Sequence, residues 1–253
     1  MRKRLASATN ALLISTFVFS VVPTAVWPAS AEEATKRAAQ QSAILNNWPN
    51  FSRYRSENAL VSPPRPGEKR VVFLGDSITD YWGRRHSVFF PGKPYLNRGI
   101  GGQTTAQMLL RFQSDVVALS PAIVVIEGGS NDLRLGAADE QIEAHLASLT
   151  QLASANGIRV VLASLTPVCD CFAPRTPSRP LTRLRAINYW IRQYTERNGY
   201  VYLDYWTPLV DSHGMMRREY TVDGVHPNDA GYAPMAIAAE QAIRRAEVHT
   251  LKK

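Results

Sequence analysis

The chain has 253 residues, 45% of them hydrophobic, with 29 Lys and Arg against 21 Asp and Glu and a net charge of +8. That length is ample for one domain with a large core and marginal for two. The cations are spread without a long basic run, which argues against a nucleic-acid partner, while their sign suits an acidic polysaccharide or a cell-envelope surface.

Arg2, Lys3 and Arg4 precede the apolar stretch "ALLISTFVFSVV" (11–22), and "ASA" (29–31) follows as a small-residue cleavage site. This pattern predicts a signal peptide over 1–31, cut after Ala31, and places the protein outside the cytoplasm, secreted or periplasmic. The apolar stretch is too short to span a bilayer, so no integral membrane segment is expected in the mature chain. Removing the three leading cations lowers the charge from +8 to +5. Residues 32–69 read as an amino-terminal arm, helical at first, then turn-like, ending in "VSPPRPGEK" (61–69).

From 70 to 253 the pattern is that of a single α/β domain. Four apolar runs recur: "RVVFLG" (70–75), "AIVVIEGG" (122–129), "IRVVLASLTP" (158–167) and "YVYLDYW" (200–206). They are near-continuous instead of alternating, as strands buried on both faces of a parallel sheet are. "YLNRGIGG" (95–102) offers a further short strand. Helical patterns lie between them over 104–119, 139–157 and 181–199, with a last one over 228–246; the first carries a stripe of Met108, Phe112 and Val116. This alternation predicts an open sheet with helices on both faces.

Cys169 and Cys171 sit in "PVCDCFAP". Residues two apart meet only in an awkward geometry, so two free thiols in a loop are expected, with a local bridge as the alternative.

In such a sheet the ligand site lies beyond the carboxyl ends of the strands. Polar and glycine-rich segments gather there: Asp76-Ser77, Gly101-Gly102, Gly128 to Asp132, and "TVDGVHPNDAGY" (221–232) with Asp223 and His226. Ser77 reads either as a helix N-cap or as a nucleophile at a strand-to-helix corner. A serine hydroxyl needs an imidazole to take its proton, and the imidazole needs a carboxylate to hold its tautomer. The attacked carbonyl oxygen needs donors, and the Ser77 and Gly102 N–H groups and the Asn131 amide are available. "GDSI" does not fit the G-x-S-x-G elbow.

"FLGDSITDYW" (73–82), "GIGGQTT" (99–105), "EGGSND" (127–132) and "DGVHP" (223–227) resemble blocks one, two, three and five of the SGNH, or GDSL-type, hydrolases, in family order. The resemblance implies a three-layer α/β/α fold around about five parallel strands. It implies Ser77 as nucleophile, His226 as base, Asp223 as the group orienting it, and Ser77, Gly102 and Asn131 as the oxyanion hole. No metal or organic cofactor is implied. "GIGGQTT" is most similar to the single-domain branch resembling platelet-activating-factor acetylhydrolase and carbohydrate O-acetylesterases. Ser130 departs from the threonine often found before the asparagine of block three, without touching the role of Asn131.

Asp76 is expected as a cap, with a contact to block three or a tuning of the site as alternatives, and Asp132 as a structural acceptor. Arg134 reads as solvated or as a contact for an anionic substrate. His86 and His213 fall in rim segments, and His145 and His249 outside the site. Tyr81, Trp82, Phe89, Phe90 and Tyr95, just past the nucleophile, either cap the core or wall a substrate groove. The Pro-rich stretch 169–180 forms the other candidate rim. The function expected is an exported esterase removing short acyl groups, acetyl above all, from a carbohydrate. A lysophospholipase, lipase or thioesterase of the same fold is the alternative, and a non-catalytic carbohydrate-binding protein a more distant one.

Overall fold

The computed structural model describes residues 30–248. The expected signal segment, apart from Ser30 and Ala31, and His249 lie outside the described residues. The chain falls into two compact units, Met1–Ser42 and Ala43–Lys253. Helix α1 (Ala31–Asn46) begins in the first, where it is largely exposed and Lys36 pairs with Glu32 at 2.8 Å. The sheet and the site belong to the second.

Five strands, β1 (Val71–Gly75), β2 (Tyr95–Gly99), β3 (Ile123–Ile126), β4 (Arg159–Ala163) and β5 (Val201–Leu203), form one parallel sheet in the order β2-β1-β3-β4-β5. The register pairs Gly75 with Gly99 and Leu74 with Ile126, so these strands end together at one rim. The order reverses between β1 and β3. That junction is the topological switch point where the two connections leave in opposite directions and open a crevice.

Helices cover both faces. Val72, Leu74, Val124 and Ile126 pack with Met108 and Phe112 of α4 (Thr105–Asp115), Ile142 and Leu146 of α6 (Asp139–Ala155), and Leu184 and Ile187 of α7 (Leu181–Asn198). Val71, Phe73, Val125 and Val161 face the other way, against Tyr232, Met235 and Ala239 of α8 (Asp229–Val248). This is the expected three-layer α/β/α arrangement. Helix α2 (Arg55–Ala59) follows Tyr54, whose buried hydroxyl donates to the Gly99 carbonyl at the end of β2. The short α3 (Ser77–Asp80) and α5 (Ser130–Arg134) start at the rim, directly beyond β1 and β3.

The residues 82–90 complete the α8 face. Phe73 lies 5.1 Å from the Phe89 ring and 5.2 Å from that of Phe90, with Trp82 and Tyr95 within 6.3 Å. Trp82 is 2% and Phe90 7% exposed. These two are core residues and not walls of a groove, and Phe89 is half-buried in the same cluster. Tilted and edge-on packing over β1 removes their apolar faces from water, which outweighs presenting them to a ligand.

Cys169 and Cys171 form a disulfide, correcting the expectation of free thiols. The chain bends at Asp170, whose carboxylate accepts the Arg175 and Thr176 N–H groups, and the two Cα atoms stand 5.3 Å apart, within bridging range.

Candidate active site

β1 delivers Gly75 to the rim, and Asp76 then starts α3 by accepting the Ile78 N–H at 2.9 Å. This is the cap expected of Asp76, and it leaves Ser77 as the first helical residue, 7% exposed. From the far end of the chain, 149 residues on, His226 places Nε2 3.0 Å from Ser77 Oγ. Its Nδ1 lies 2.8 Å from Asp223 Oδ2.

The loop holding this pair is braced locally. Asp223 Oδ1 accepts the Val225 N–H at 3.0 Å and the His226 N–H at 2.9 Å, which fixes the carboxylate and leaves Oδ2 for the ring. Thr221 Oγ1 accepts from Gly224 N–H and donates to the His226 carbonyl. Gly224 has φ +89°, and a Cβ there would lie 2.4 Å from the Cys169 carbonyl oxygen. Only glycine permits that approach. The Cys169 N–H also donates to the Gly224 carbonyl, so the disulfide loop props the Asp223–His226 turn. Burial pushes the Asp223 carboxyl up, but the hydrogen bonds from the His226 backbone and ring and from Val225 outweigh it. The carboxyl is held below its ordinary range.

The three expected oxyanion donors lie on three different connections. Among the described residues the Ser77 and Gly102 N–H groups have no hydrogen-bond partner. Gly102, at φ +80°, has open space where a Cβ would stand. The Asn131 amide donates to Asp76 Oδ2 at 3.2 Å and to the Gln103 carbonyl at 3.1 Å. Both its hydrogens are thus engaged in this state, and a substrate oxygen must draw one of them away.

Beneath the rim Asp76 meets a second buried carboxyl, Glu127, that the sequence reading passed over. Glu127, at the end of β3, is 2% exposed, and neither of its oxygens accepts a hydrogen bond among the described residues. Burial, then the neighbouring Asp76 charge, raises its pKa well above the ordinary range. Asp76 is itself pushed up to about 6 by burial, against the pull of the Ile78 N–H and of His226. The sequence signal was a glutamate closing an otherwise apolar strand.

Arg111 was also missed. It is fully buried on α4 and bonds the Gly75 carbonyl at 3.0 Å, the Arg98 carbonyl at 2.8 Å and Gln103 Oε1, with Asp115 as its ion partner at 3.1 Å. It ties the ends of β1 and β2 to the Gln103 loop. Asp132 accepts the Thr105 N–H and hydroxyl, joining block three to block two, and His145 contacts the same hydroxyl at 3.0 Å.

At the rim, the Tyr81 ring lies 4.9 Å from that of His226, under the Arg85 guanidinium. Arg134 is exposed, one helical turn past Ser130. His86 sits 3.7 Å from Asp229, and His213 is exposed, so neither joins the triad.

A serine hydroxyl, an imidazole and a carboxylate in hydrogen-bonded series is a constellation suited to acyl transfer. Residues 73–233 match the model of the GDSL-like Lipase/Acylhydrolase family. The chain belongs to this family. Its members are serine hydrolases acting on acyl esters, and this chain is a hydrolase of that type. A GDSL-like lipase from Bacteroides thetaiotaomicron is similar in structure, at 39% identity and a TM-score of 0.73, over 78% of this chain and 98% of that one. Esterase TesA of Pseudomonas aeruginosa is 40% identical over 70 residues, 28% of this chain and 35% of that protein. The match thus spans about a third of the length of that curated relative. An acetylxylan esterase from Geobacillus stearothermophilus, in a catalytic-mutant form, shares the fold at 20% identity and a TM-score of 0.56, over 73% of this chain and 96% of that one. Among the described residues no helix is long and apolar enough to cross a membrane.

Proposed function

We propose that the protein is an exported serine esterase that removes short acyl groups, acetyl above all, from carbohydrate esters. The observation that carries the chemistry is His226 standing between Ser77 Oγ at 3.0 Å and Asp223 Oδ2 at 2.8 Å. Ser77 Oγ attacks the ester carbonyl as its proton passes to His226 Nε2, and Asp223 stabilises the imidazolium. The carbonyl oxygen takes the charge, met by the Ser77 and Gly102 N–H groups and by the Asn131 amide as it leaves Asp76. Collapse breaks the bond to the alcohol, which departs with the imidazolium proton and leaves an acyl-enzyme. Water, deprotonated by His226, then releases the acid and restores Ser77.

The short-acyl reading rests on the rim. Trp82 and Phe90 are closed into the core, and Tyr81 packs against His226, so these aromatics offer no long apolar channel. Export rests on the leading sequence, and the sugar on the similarity of "GIGGQTT" to the platelet-activating-factor acetylhydrolase and O-acetylesterase branch. The test is one alcohol esterified with C2, C4, C6 and C8 acids, below micelle formation, on wild type and Ser77→Ala. A buried methylene is worth about 0.8 kcal/mol, so an acyl channel makes kcat/KM climb steadily to C8. A maximum at C2 or C4, abolished in S77A, is expected; a maximum at C8 overturns the short-acyl reading in favour of a lipase-like one.

A further inference from the structure

Four arginines are buried among the described residues, and three of them have carboxylate partners. Arg70 pairs with Glu68 at 3.0 Å, Arg98 with Glu57 at 3.8 Å and Arg111 with Asp115 at 3.1 Å. Arg179 is the exception. It is 6% exposed, and among the described residues its one side-chain hydrogen bond is from Nε to Ser130 Oγ at 2.9 Å. Among the described residues no carboxylate forms an ion pair with it. Its Nη atoms are also not sealed off from solvent, because the buried side-chain atoms lacking a partner belong to Asp80 and Glu127. A guanidinium this buried ordinarily has a counter-charge, since removing it from water is costly.

The position of Arg179 matters as much as its solitude. Ser130 directly precedes Asn131, whose amide reaches Asp76 beside the nucleophile. Asp76 and Asp223 both act on the Arg179 charge, so it lies within the field of the two catalytic loops. Two further guanidiniums are gathered there. Arg134 is one turn along α5 from Ser130, and the Arg175 carbonyl accepts the Arg179 N–H at 3.0 Å. Arg175 Nε itself donates to the Asp223 carbonyl at 3.0 Å. The like charges of Arg134 and Arg175 oppose that of Arg179. Arg175 is already paired with Asp223 Oδ2 at 3.9 Å, so Arg179, which has no such partner, is the cation left to meet an anion that arrives with the substrate.

We propose that Arg179, flanked by Arg134 and Arg175, is an anion-binding subsite that selects esters bearing a carboxylate or phosphate close to the ester bond. The inference rests on the esterase reading above and specifies its substrate class. Nε is committed to Ser130, so the two Nη groups present paired N–H donors, a geometry that carboxylate and phosphate oxygens accept together. Arg134 and Arg175 add attraction that salt screens at the exposed edge.

The test compares 3-acetoxybenzoate and 3-acetoxyphenyl phosphate with the neutral methyl 3-acetoxybenzoate, in wild type, Arg179→Gln and Arg134→Gln. In wild type at low salt, kcat/KM for at least one anionic ester should exceed that for the neutral one by about tenfold, as charge-assisted hydrogen bonds allow. The anionic-to-neutral ratio should collapse toward one in R179Q and fall severalfold in R134Q, whose exposed site makes folding secure. The response of the phosphate and carboxylate arms tells which group the subsite takes. Equal rates on all three esters, with a ratio that neither variant changes, overturn the subsite and leave the esterase intact. If no ester is cleaved, the esterase reading falls. Titration of 3-hydroxybenzoate and of inorganic phosphate onto wild type and R179Q then decides the subsite. Weaker binding of either anion to the variant supports it, and equal or absent binding overturns it.

Discussion

Replacing Asp223 by asparagine puts the triad under a test that the local geometry makes specific. Oδ1 accepts two backbone N–H groups, at 3.0 Å from Val225 and 2.9 Å from His226, while Oδ2 faces His226 Nδ1 at 2.8 Å. An asparagine keeps both backbone bonds only with its oxygen in the Oδ1 position. Its NH₂ then points at Nδ1, which must accept instead of donate. The imidazole proton moves to Nε2, and the atom 3.0 Å from Ser77 Oγ can no longer take the serine proton. A wrong tautomer in such a triad lowers kcat by about 10⁴, and the partial exposure of Asp223 sets roughly 10³–10⁴ as the range expected here. At 1.36 kcal/mol per decade, that is about 4–5 kcal/mol of lost transition-state stabilisation. Because the swap is isosteric and the loop bonds survive, Tm should move by only a few degrees, about what 1 kcal/mol does to a domain of this size. The assay is steady-state cleavage of 4-nitrophenyl acetate, with Tm measured on the same preparation. A D223N enzyme within tenfold of wild type refutes the reasoning. So does a rate loss matched by unfolding.

Asn131→Ala should lower kcat more than it raises KM, since its amide meets a charge that exists only in the transition state. Loss of such a donor costs roughly 10²–10³ in rate, and the low end is expected because Asp76 and Gln103 compete for the amide. Unchanged kcat with a raised KM would place Asn131 in substrate binding. Glu127→Gln tests the buried carboxyl pair through stability. A pKa raised in the folded state gives stabilisation that is full below the unfolded value, 4.5 for glutamate, and is lost as pH rises toward the folded value. Wild-type Tm should therefore fall as pH rises above about 4.5, and E127Q should flatten that fall. Parallel Tm–pH curves for the two proteins would show that Glu127 is ionised in the native state.

Much of this architecture was legible in the chain because both its periods and its punctuation were clear. Near-continuous apolar runs such as "VVFL" report burial on two faces, and Val71 and Phe73 indeed pack opposite to Val72 and Leu74. The helix over 181–199 ends at Gly199, which adopts φ +68° as the cap. The triad types stood out because Ser77 lies at a strand-to-helix corner and Asp223 and His226 in a Gly- and Pro-punctuated loop, where a polar residue needs a reason. What stayed hidden depends on depth. No periodicity tells that Arg179 turns inward onto Ser130, or that Arg111 reaches back to the end of β1, because a long side chain can bury its head far from its own backbone. Trp82 and Phe90 were ambiguous for the converse reason, since an aromatic beside a site serves core and groove alike until its neighbours are known. The Cys169–Cys171 bridge depended on a bend that Asp170 sets through residues five and six positions away.

The central claim is that Ser77 is the nucleophile, and covalent labelling reads it without regard to substrate. A fluorophosphonate probe reacts with a serine whose hydroxyl is activated by a base. Incubation of the folded protein with the probe, followed by digestion and mass spectrometry, should give one adduct, on Ser77. His226→Ala should slow that labelling, and Ser77→Ala should abolish it together with ester cleavage. An adduct on another serine, or S77A protein that still cleaves esters at the wild-type rate, would contradict the account.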